Sequence, residues 1–444
     1  MNAGNIFQPL TLNKVEFKNR ILRSSVGGRT CTYDGTVTDV WRSFERRFAE
    51  AGVAGIISTT FHVTHSRLSP YEYPSIAKPE NANPLKGYIA EIKARNCRYI
   101  VQLGDPGYAT YSSLFSQPED SKSSSSGFDV AFGYRNRREA MSAREIKQTM
   151  DNFVTAALRV RDAEADGIEI TATKGYLIHQ FLNPAFNRRT DEWGGSPDNR
   201  FRLLREVIER VRDAVGPDFL LGIRLSAADY NYLPLQLSLF RLPWHRPWRE
   251  FWMGNDEDQM LAYANRLRDK LDFLHVVSGY GFPNPRDVPG RFPLDEIRIF
   301  FNATRHLSAK AAARATVLNL LPTFPARWLM NLGWKYEPGI NLAHAQRFRR
   351  EVGLPVIVNG GFQDRPLIEC ALEGCDMVSM ARAIIANPGL IHDFKAGKDR
   401  PDNPCTFCNK CVGRTASSPL GCYDETRFPS VEAMQDQILE WNRP

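Results

Sequence analysis

At 444 residues, with 43% hydrophobic and 24% charged residues, the chain has the composition of a globular protein long enough to bury a large core. Its 57 basic and 50 acidic residues leave a net charge of +7 spread along the sequence, with no Lys/Arg block of the kind that grips nucleic acid. No apolar run reaches the roughly 18 residues of a spanning helix, and Met1–Phe17 lacks the charged-then-apolar pattern of a secretion signal, so a cytoplasmic protein is expected.

Short β-branched or apolar runs alternate along the chain with longer helix-like segments. Strands are expected at Asn19–Ser25, Val53–Thr60, Tyr99–Leu103, Gly167–Thr171, Phe219–Leu225, Phe273–Val277, Pro355–Asn359 and Met377–Met380. Helices are expected at Asp39–Ala51, Ala143–Ala165, Arg200–Val215, Asp256–Lys270 and Arg365–Glu373, with a last polar helix at Ser430–Trp441. Eight strands, each followed by a crossover, is the count of an α/β fold closed as a (β/α)8 TIM barrel. The rival, an open doubly wound sheet, uses fewer strands and an early G-x-G-x-x-G turn, which follows no strand here.

Three insertions interrupt the alternation. Ser112–Gly127 is Ser-rich and reads as a loop after the third strand. Tyr230–Met253 sets Trp244, Trp248 and Trp252 among prolines and arginines, and Ala311–Trp334 is apolar but broken by Pro322 and Pro325. The last two are expected as a lid over the active face or as a helical excursion packed on the barrel, and an aromatic, basic surface also suits a membrane interface. The expected division is a barrel over 1–400 and a short cysteine-bearing extension over 401–444.

The densest chemistry lies just after the fourth strand, in Gly175-Tyr176-Leu177-Ile178-His179-Gln180-Phe181-Leu182-Asn183-Pro184, then Asn187-Arg188-Arg189-Thr190-Asp191 and Gly194-Gly195-Ser196. Strand C-terminal ends are where a parallel α/β barrel does its chemistry. Asn359-Gly360-Gly361 ends the seventh strand, where glycines let backbone N–H groups approach a phosphate; a plain tight turn is the alternative. Arg382, after the eighth strand, has the planar fork that pairs with a phosphate. Arg224 closes an apolar strand, and a charge in the barrel mouth needs a counter-anion.

Cys405, Cys408, Cys411 and Cys422 follow a C-x2-C-x2-C-x10-C spacing. Without a signal peptide, such clustering points to metal ligation rather than disulfides. On ligand chemistry, four thiolates satisfy an iron–sulfur cluster or a structural zinc ion, and cysteines that hold no metal are the third reading.

The run G-Y-L-x-x-Q-F-L-x-P-x-x-N-x-R-x-D-x-x-G-G-S from Gly175 to Ser196 is accompanied, in order, by Phe7-Gln8-Pro9-Leu10, Lys18-Asn19-Arg20, Gln102-Leu103, Ile223-Arg224-Leu225-Ser226, Asn359-Gly360-Gly361-Phe362 and Met380-Ala381-Arg382. On these motifs nearly the whole chain resembles the Old Yellow Enzyme family of FMN-dependent oxidoreductases, particularly the branch that includes dienoyl-CoA reductases. The resemblance implies an FMN-loaded barrel that takes hydride from NADPH or NADH. Its small-molecule substrate would carry an activated C=C bond, as an enone or an unsaturated thioester does.

The resemblance also implies roles for individual residues. Arg224 would lie beside the flavin N1–C2 edge and Gln102 at the pyrimidine edge, with Ser24, Ser25 and Gly27 against the ring. Gly27 stands where relatives often carry a Thr or Cys that tunes the flavin. Asn359, Gly360, Gly361, Ala381 and Arg382 would hold the phosphate. Tyr176 would protonate the α-carbon; a phenol, with reference pKa about 10, keeps its proton at neutral pH. Thr171 and Lys174 occupy the places where relatives set His and His, or His and Asn, to grip the substrate carbonyl. Asp105 and Tyr108 stand where relatives often show His and Arg.

In the same branch a similar cysteine run binds a [4Fe–4S] cluster, with spacing one residue longer in two gaps. Relatives with that cluster continue into FAD- and NAD(P)H-binding domains, whereas 22 residues follow Cys422 here. Two electron routes are expected: direct reduction of FMN by NAD(P)H, or delivery by a separate electron-donor protein. Two rival readings stay open, a flavin-dependent dehydrogenase of an amine or other substrate that passes electrons to a partner, and a catalytically inactive barrel used for binding.

Overall fold

Apolar runs too short to be helices become the inner strands, and amphipathic segments with strong caps become the outer helices. The computed structural model of the chain describes residues 6–443 apart from 33, 65–72, 109–121, 129–136, 232–252, 282–283, 308 and 416. Its barrel strands are β1 (Ile21–Arg23), β2 (Gly55–Ile57), β3 (Arg98–Gly104), β4 (Gly167–Ala172), β5 (Leu220–Ser226), β6 (Phe273–Val277), β7 (Val356–Asn359) and β8 (Met377–Met380). Each pairs in parallel with the next, and β8 pairs back to β1, closing the ring. The expected (β/α)8 barrel is therefore formed.

The floor of the barrel is apolar. Leu22, Ile57, Ile100, Leu220, Phe273, Ile357 and Met377 meet there with Leu12 and Phe17 of an antiparallel N-terminal hairpin, Leu10–Leu12 with Val15–Phe17. Burying each such side chain contributes about 1.5–3 kcal/mol. With that end sealed, the polar residues at the strand C-terminal ends gather at the other mouth.

The outer helices start where the sequence supplies a cap. Ala143–Asp162 opens with a capping box in which Ser142 accepts from the Glu145 N–H and Glu145 accepts from the Ser142 N–H. Its buried face, including Ile146, Met150, Phe153, Ala157 and Val160, keeps helical spacing. Helix Leu342–Val352 ends at Gly353 in the left-handed region, with φ 82°, which turns the chain toward β7.

Most of the Ser112–Gly127 and Tyr230–Met253 insertions lies outside the described residues. The third insertion is a helical excursion. Leu294–Thr304, Ala309–Leu320 and Thr323–Met330 pack around their own core of Phe292, Ile297, Phe300, Phe301, Ala315 and Trp334. The cysteine-bearing extension folds back on the barrel. Trp441 lies under Arg47, 4.7 Å from guanidinium carbon to ring centre. Arg427 donates to the carbonyls of Ala386, Asn403 and Pro404. Among the described residues no helix is long and apolar enough to cross a membrane.

Candidate active site

The C-terminal ends of β1, β3, β5, β7 and β8 surround a cavity of about 1330 Å³, counting space open to solvent. Of the residues singled out from the sequence, Ser24, Ser25, Gly27, Gln102, Lys174, Tyr176, Arg224, Asn359, Gly361, Ala381 and Arg382 line it. Thr171 and Gly360 are not among the lining residues. Thr171 is buried, and its methyl group crowds around Gly104 with the Thr60 methyl and the Tyr176 ring, both of which line the cavity. Asp105 is buried away from the cavity, accepting from the Gly107 N–H at 2.8 Å, and Tyr108 stacks on Phe186.

Three cations, Lys174, Arg224 and Arg382, face one carboxylate, Asp287, among the described lining residues. Lys174 Nζ lies 2.9 Å from Asp287 Oδ2. Burial pulls the ammonium below its ordinary range, Arg224 and Arg382 add to this, and Asp287 opposes it. Lys174 holds a positive φ of 58°, an uncommon and strained conformation for a side chain of this size. Besides the Asp287 carboxylate, two side chains of the wall have a buried polar atom, Arg224 Nε and Ser24 Oγ, with no hydrogen-bond partner among the described residues. Buried polar groups are nearly always satisfied, so these atoms fit a ligand. An anionic, hydrogen-bonding group such as FMN suits that donor set, and Asp287 is the one pocket carboxylate that sequence reasoning passed over.

Beneath the cavity runs a fully buried polar chain. Gln102 Nε2 donates to Glu169 Oε1 at 2.5 Å, and Glu169 Oε2 lies 2.7 Å from His275 Nδ1. His275 Nε2 then meets Ser379 Oγ at 2.8 Å, and Asn359 Nδ2 donates to the same hydroxyl. Burial pulls His275 below its ordinary value, with Arg224 and Lys174 adding to this and Glu169 opposing it. A neutral imidazole beside a carboxylate must donate from Nδ1, so Nε2 accepts from Ser379. Because Glu169 takes the Gln102 amide hydrogen, the Gln102 oxygen is left to accept from the Ser25 and Thr60 hydroxyls. The signal for this chain was in the sequence: Glu169 and His275 are ionisable residues in the middle of apolar strands.

Tyr176 begins the short helix Leu177–Leu182. Its loop is anchored by His179, whose Nδ1 accepts from the Gly175 N–H at 3.2 Å. Nε2 therefore carries the proton and donates to Asp229 Oδ1 at 2.7 Å. Asp229 Oδ2 also accepts from Asn183 Nδ2 and from the backbone and side-chain nitrogens of Asn255. The family-like stretch after β4 thus spends its imidazole and amides on fixing the loop and leaves the phenol at the cavity.

Gly27 is small for a visible reason. A Cβ there would lie 2.1 Å from Tyr73 Cζ, so the Tyr73 phenol fills the space a side chain would take. Tyr73 also lines the cavity and stacks on His62. The two late glycines serve a close approach: a Cβ on Gly361 would sit 2.9 Å from the Glu337 carbonyl, and on Gly360 2.9 Å from Ile340. The Arg382 guanidinium reaches toward the extension, donating to the Pro289 carbonyl at 2.5 Å and to Asn409 Oδ1 while lying over the Phe407 ring.

The metal reading needs correction. Among the described residues no group of three or more His, Cys, Asp or Glu side chains stands close enough to hold a metal ion. Cys405, Cys408, Cys411 and Cys422 do line one cavity of about 290 Å³, counting space open to solvent, with Arg382 and Arg427. Burial pushes the Cys405 thiol up to about 11, and raises Cys411 and Cys408 as well. Arg427 Nη1 lies 3.0 Å from Cys422 Sγ, and the Phe407 N–H lies 3.4 Å from Cys405 Sγ. As they stand the thiols surround a space without converging on one point, so a single zinc ion does not fit.

Comparison with known proteins places this geometry. The NADH:flavin oxidoreductase / NADH oxidase family model matches residues 5–234. An NADPH dehydrogenase of Geobacillus sp. (strain WCH70) is 33% identical over 283 residues, covering 63% of this chain and 74% of that protein. A 4,4'-dithiodibutanoate disulfide reductase of Rhodococcus erythropolis is 26% identical over 417 residues, 92% of each chain. Among solved structures, a 2-naphthoyl-CoA reductase complex superposes with a TM-score of 0.71 at 19% identity, over 95% of this chain and 56% of that one. With more than half of its length matched by the family model and a barrel of the same form, the chain belongs to the NADH:flavin oxidoreductase / NADH oxidase family, in which the Old Yellow Enzymes fall.

Proposed function

We propose that this FMN-dependent NAD(P)H oxidoreductase saturates a polarised C=C bond, in an enone or an unsaturated thioester, with Tyr176 as the proton donor. The observation that carries the reading is the cavity wall. Three cations, the unpartnered Arg224 Nε and Ser24 Oγ, and the Tyr176 phenol share one opening at the strand ends. FMN, when bound, supplies hydride transfer between the nicotinamide and the substrate carbon.

Ser24, Ser25, Gln102 and Arg224 would hold the ring edge, and Asn359, Gly361, Ala381 and Arg382 the phosphate end. Arg224 brings a fixed positive charge beside a group that becomes anionic on reduction. Glu169 orients the Gln102 amide. Lys174, steadied by Asp287, is placed to polarise the substrate carbonyl. Tyr176 hands its phenolic proton to the carbon that becomes electron-rich, and water restores it.

Stopped-flow measurement of the two half-reactions tests the assignment. Tyr176→Phe should slow flavin reoxidation by an enone by about a hundredfold or more and leave flavin reduction by NADPH nearly unchanged. An oxidative half-reaction as fast as that of the unaltered protein would remove Tyr176 from the mechanism.

The cysteine cavity supports a second, narrower assignment. Four thiols share one cavity with two guanidinium groups, and four thiolates are the ligand set of an iron–sulfur cluster. Anaerobic reconstitution with iron and sulfide should bind about four iron atoms per chain and add a broad absorbance near 400 nm. Reduction of the flavin by NAD(P)H alone would make a separate electron-donor protein unnecessary.

A further inference from the structure

Asn409 stands between Cys408 and Cys411, yet its polar side chain is buried, 1% exposed, on a backbone with a left-handed φ of 62°. Asparagine tolerates that conformation. Phe407, two residues earlier, holds φ 52°, which is strained for a bulky side chain and persists only where the surroundings enforce it. Its ring stacks on Tyr336 with centres 4.1 Å apart and lies under the Arg382 guanidinium. Phe407, Cys411, Val412 and Leu420 also line the main cavity, so the cysteine extension is part of the active-site wall.

The Asn409 amide ties that wall to its neighbour. Nδ2 donates to the Val288 carbonyl at 3.2 Å and to the Arg291 carbonyl at 2.9 Å, while Oδ1 accepts from Arg382 Nη1. The direction is forced: a guanidinium only donates and a carbonyl only accepts, so a turned amide would face both wrongly. The Arg291 N–H donates to the Phe407 carbonyl at 3.3 Å, and a Cβ on Gly290 would lie 2.0 Å from the same oxygen. Residues 288–291 are therefore clasped by the turn at residues 407–409. Asp287 immediately precedes the clasped stretch, and its carboxylate is the one 2.9 Å from Lys174 Nζ in the cavity.

We propose that Asn409, which does not itself line the cavity, is a positioning residue for the substrate site. By holding residues 288–291 it fixes where Asp287 stands, and through Asp287 where Lys174 presents its ammonium. The proposal deepens the ene-reduction reading and rests on Lys174 as the group that polarises the substrate carbonyl. A charge held in place acts on that carbonyl without rearrangement, whereas a released one must be ordered again each time substrate binds.

The test is a double-mutant cycle on the full chain with saturating FMN, read by stopped-flow reoxidation of the reduced flavin over a range of cyclohexenone concentrations. Asn409→Gly removes the amide and leaves a backbone at ease with positive φ. It should raise the half-saturating enone concentration about tenfold and leave flavin reduction by NADPH within about twofold. Lys174→Met should raise the same concentration at least as much, and the double variant should be no worse than Lys174→Met alone. Additive losses would overturn the proposal, because a residue that only supports packing does equal harm in either background. Lys174→Met without effect would overturn the proposal together with the role given to Lys174.

Hydrogen exchange in the FMN-free protein reads the clasp without any substrate. The Val288, Gly290 and Arg291 amides should exchange about tenfold faster in Asn409→Gly, with β4 and β6 as in the parent. Unchanged exchange there would overturn the proposal. A parent flavin that cyclohexenone does not reoxidise would fell the ene-reduction reading, and exchange would then decide the clasp by itself. Asn409→Asp keeps the acceptor for Arg382 and loses both donors, so it should reproduce the effects of Asn409→Gly; parent-like behaviour would show that the two carbonyl contacts do not hold the loop.

Discussion

Replacing Glu169 by Leu should cost about 3–5 kcal/mol, although Glu169 touches no substrate. The carboxylate is fully buried and takes hydrogen bonds from Gln102 Nε2 at 2.5 Å and His275 Nδ1 at 2.7 Å. Leucine leaves both donors buried without an acceptor, at about 1–3 kcal/mol each. Part of that is offset because a charge no longer has to be desolvated. Glu169→Gln is the control. With a glutamine amide facing Nδ1, the imidazole can move its proton to Nε2 and donate to Ser379, so only the charge-assisted strength is lost, about 1–2 kcal/mol.

Urea denaturation of FMN-free protein, followed by circular dichroism, measures both variants. FMN titration by fluorescence quenching reads whether Gln102 is still oriented. The pH dependence provides a second check. Glu169 sits below its ordinary 4.5: burial pushes it up, but His275, Arg224 and Gln102 more than offset that. His275 sits below its ordinary 6.5, chiefly through burial. Both groups bind more protons unfolded than folded, so their contribution is complete above about pH 6.5 and is lost as pH falls. Glu169 holds the His275 proton on, so Glu169→Leu should weaken at least as steeply as the unaltered protein as pH falls from about 6.5 toward 5, and less steeply below about pH 4.5, where only the unaltered protein loses the Glu169 contribution. A Leu variant as stable as the parent, or less perturbed than the Gln variant, would refute the reasoning.

Two further outcomes follow from contacts already described. Gly27→Thr should destabilise the protein by about 1–3 kcal/mol, because its Cβ would meet Tyr73 Cζ at 2.1 Å, and Tyr73→Ala in the same chain should recover most of that loss. Thermal melts of the four members of the cycle measure the coupling, and additive effects would show that the two residues do not compete. Asp229→Asn sets an amide against donors from His179, Asn183 and Asn255 and should cost about 3–5 kcal/mol. A melt unchanged from the parent would show that this carboxylate does not hold the Tyr176 loop.

The barrel was legible because its strands are apolar runs bounded by turn residues, and the β6 and β8 limits match the expectation residue for residue. Helix starts were harder where the cap lies outside the periodic run. The helix expected from Arg200 begins at Pro197, since Ser196 caps it and proline suits the first turn. Lys174, Tyr176, Gln102 and Arg224 could be read as polar residues at strand ends. Tyr73 could not, because its importance comes from touching a glycine far away in sequence. Thr171 was expected at the substrate by analogy; it is not among the residues that line the cavity, though its neighbours Thr60 and Tyr176 are. The cysteine spacing reported proximity correctly; the distances among the thiols are set by the packing of the extension, which spacing does not encode.

The Tyr73 phenol over Gly27 changes what can be exchanged between this chain and its relatives. The loop after the second strand fills the space beside the end of the first, so this patch of wall is built by two segments far apart in sequence. Moving one residue across would jam the wall or leave it hollow. The transferable unit is both segments together, and any attempt to redirect this pocket by grafting should move them as a pair.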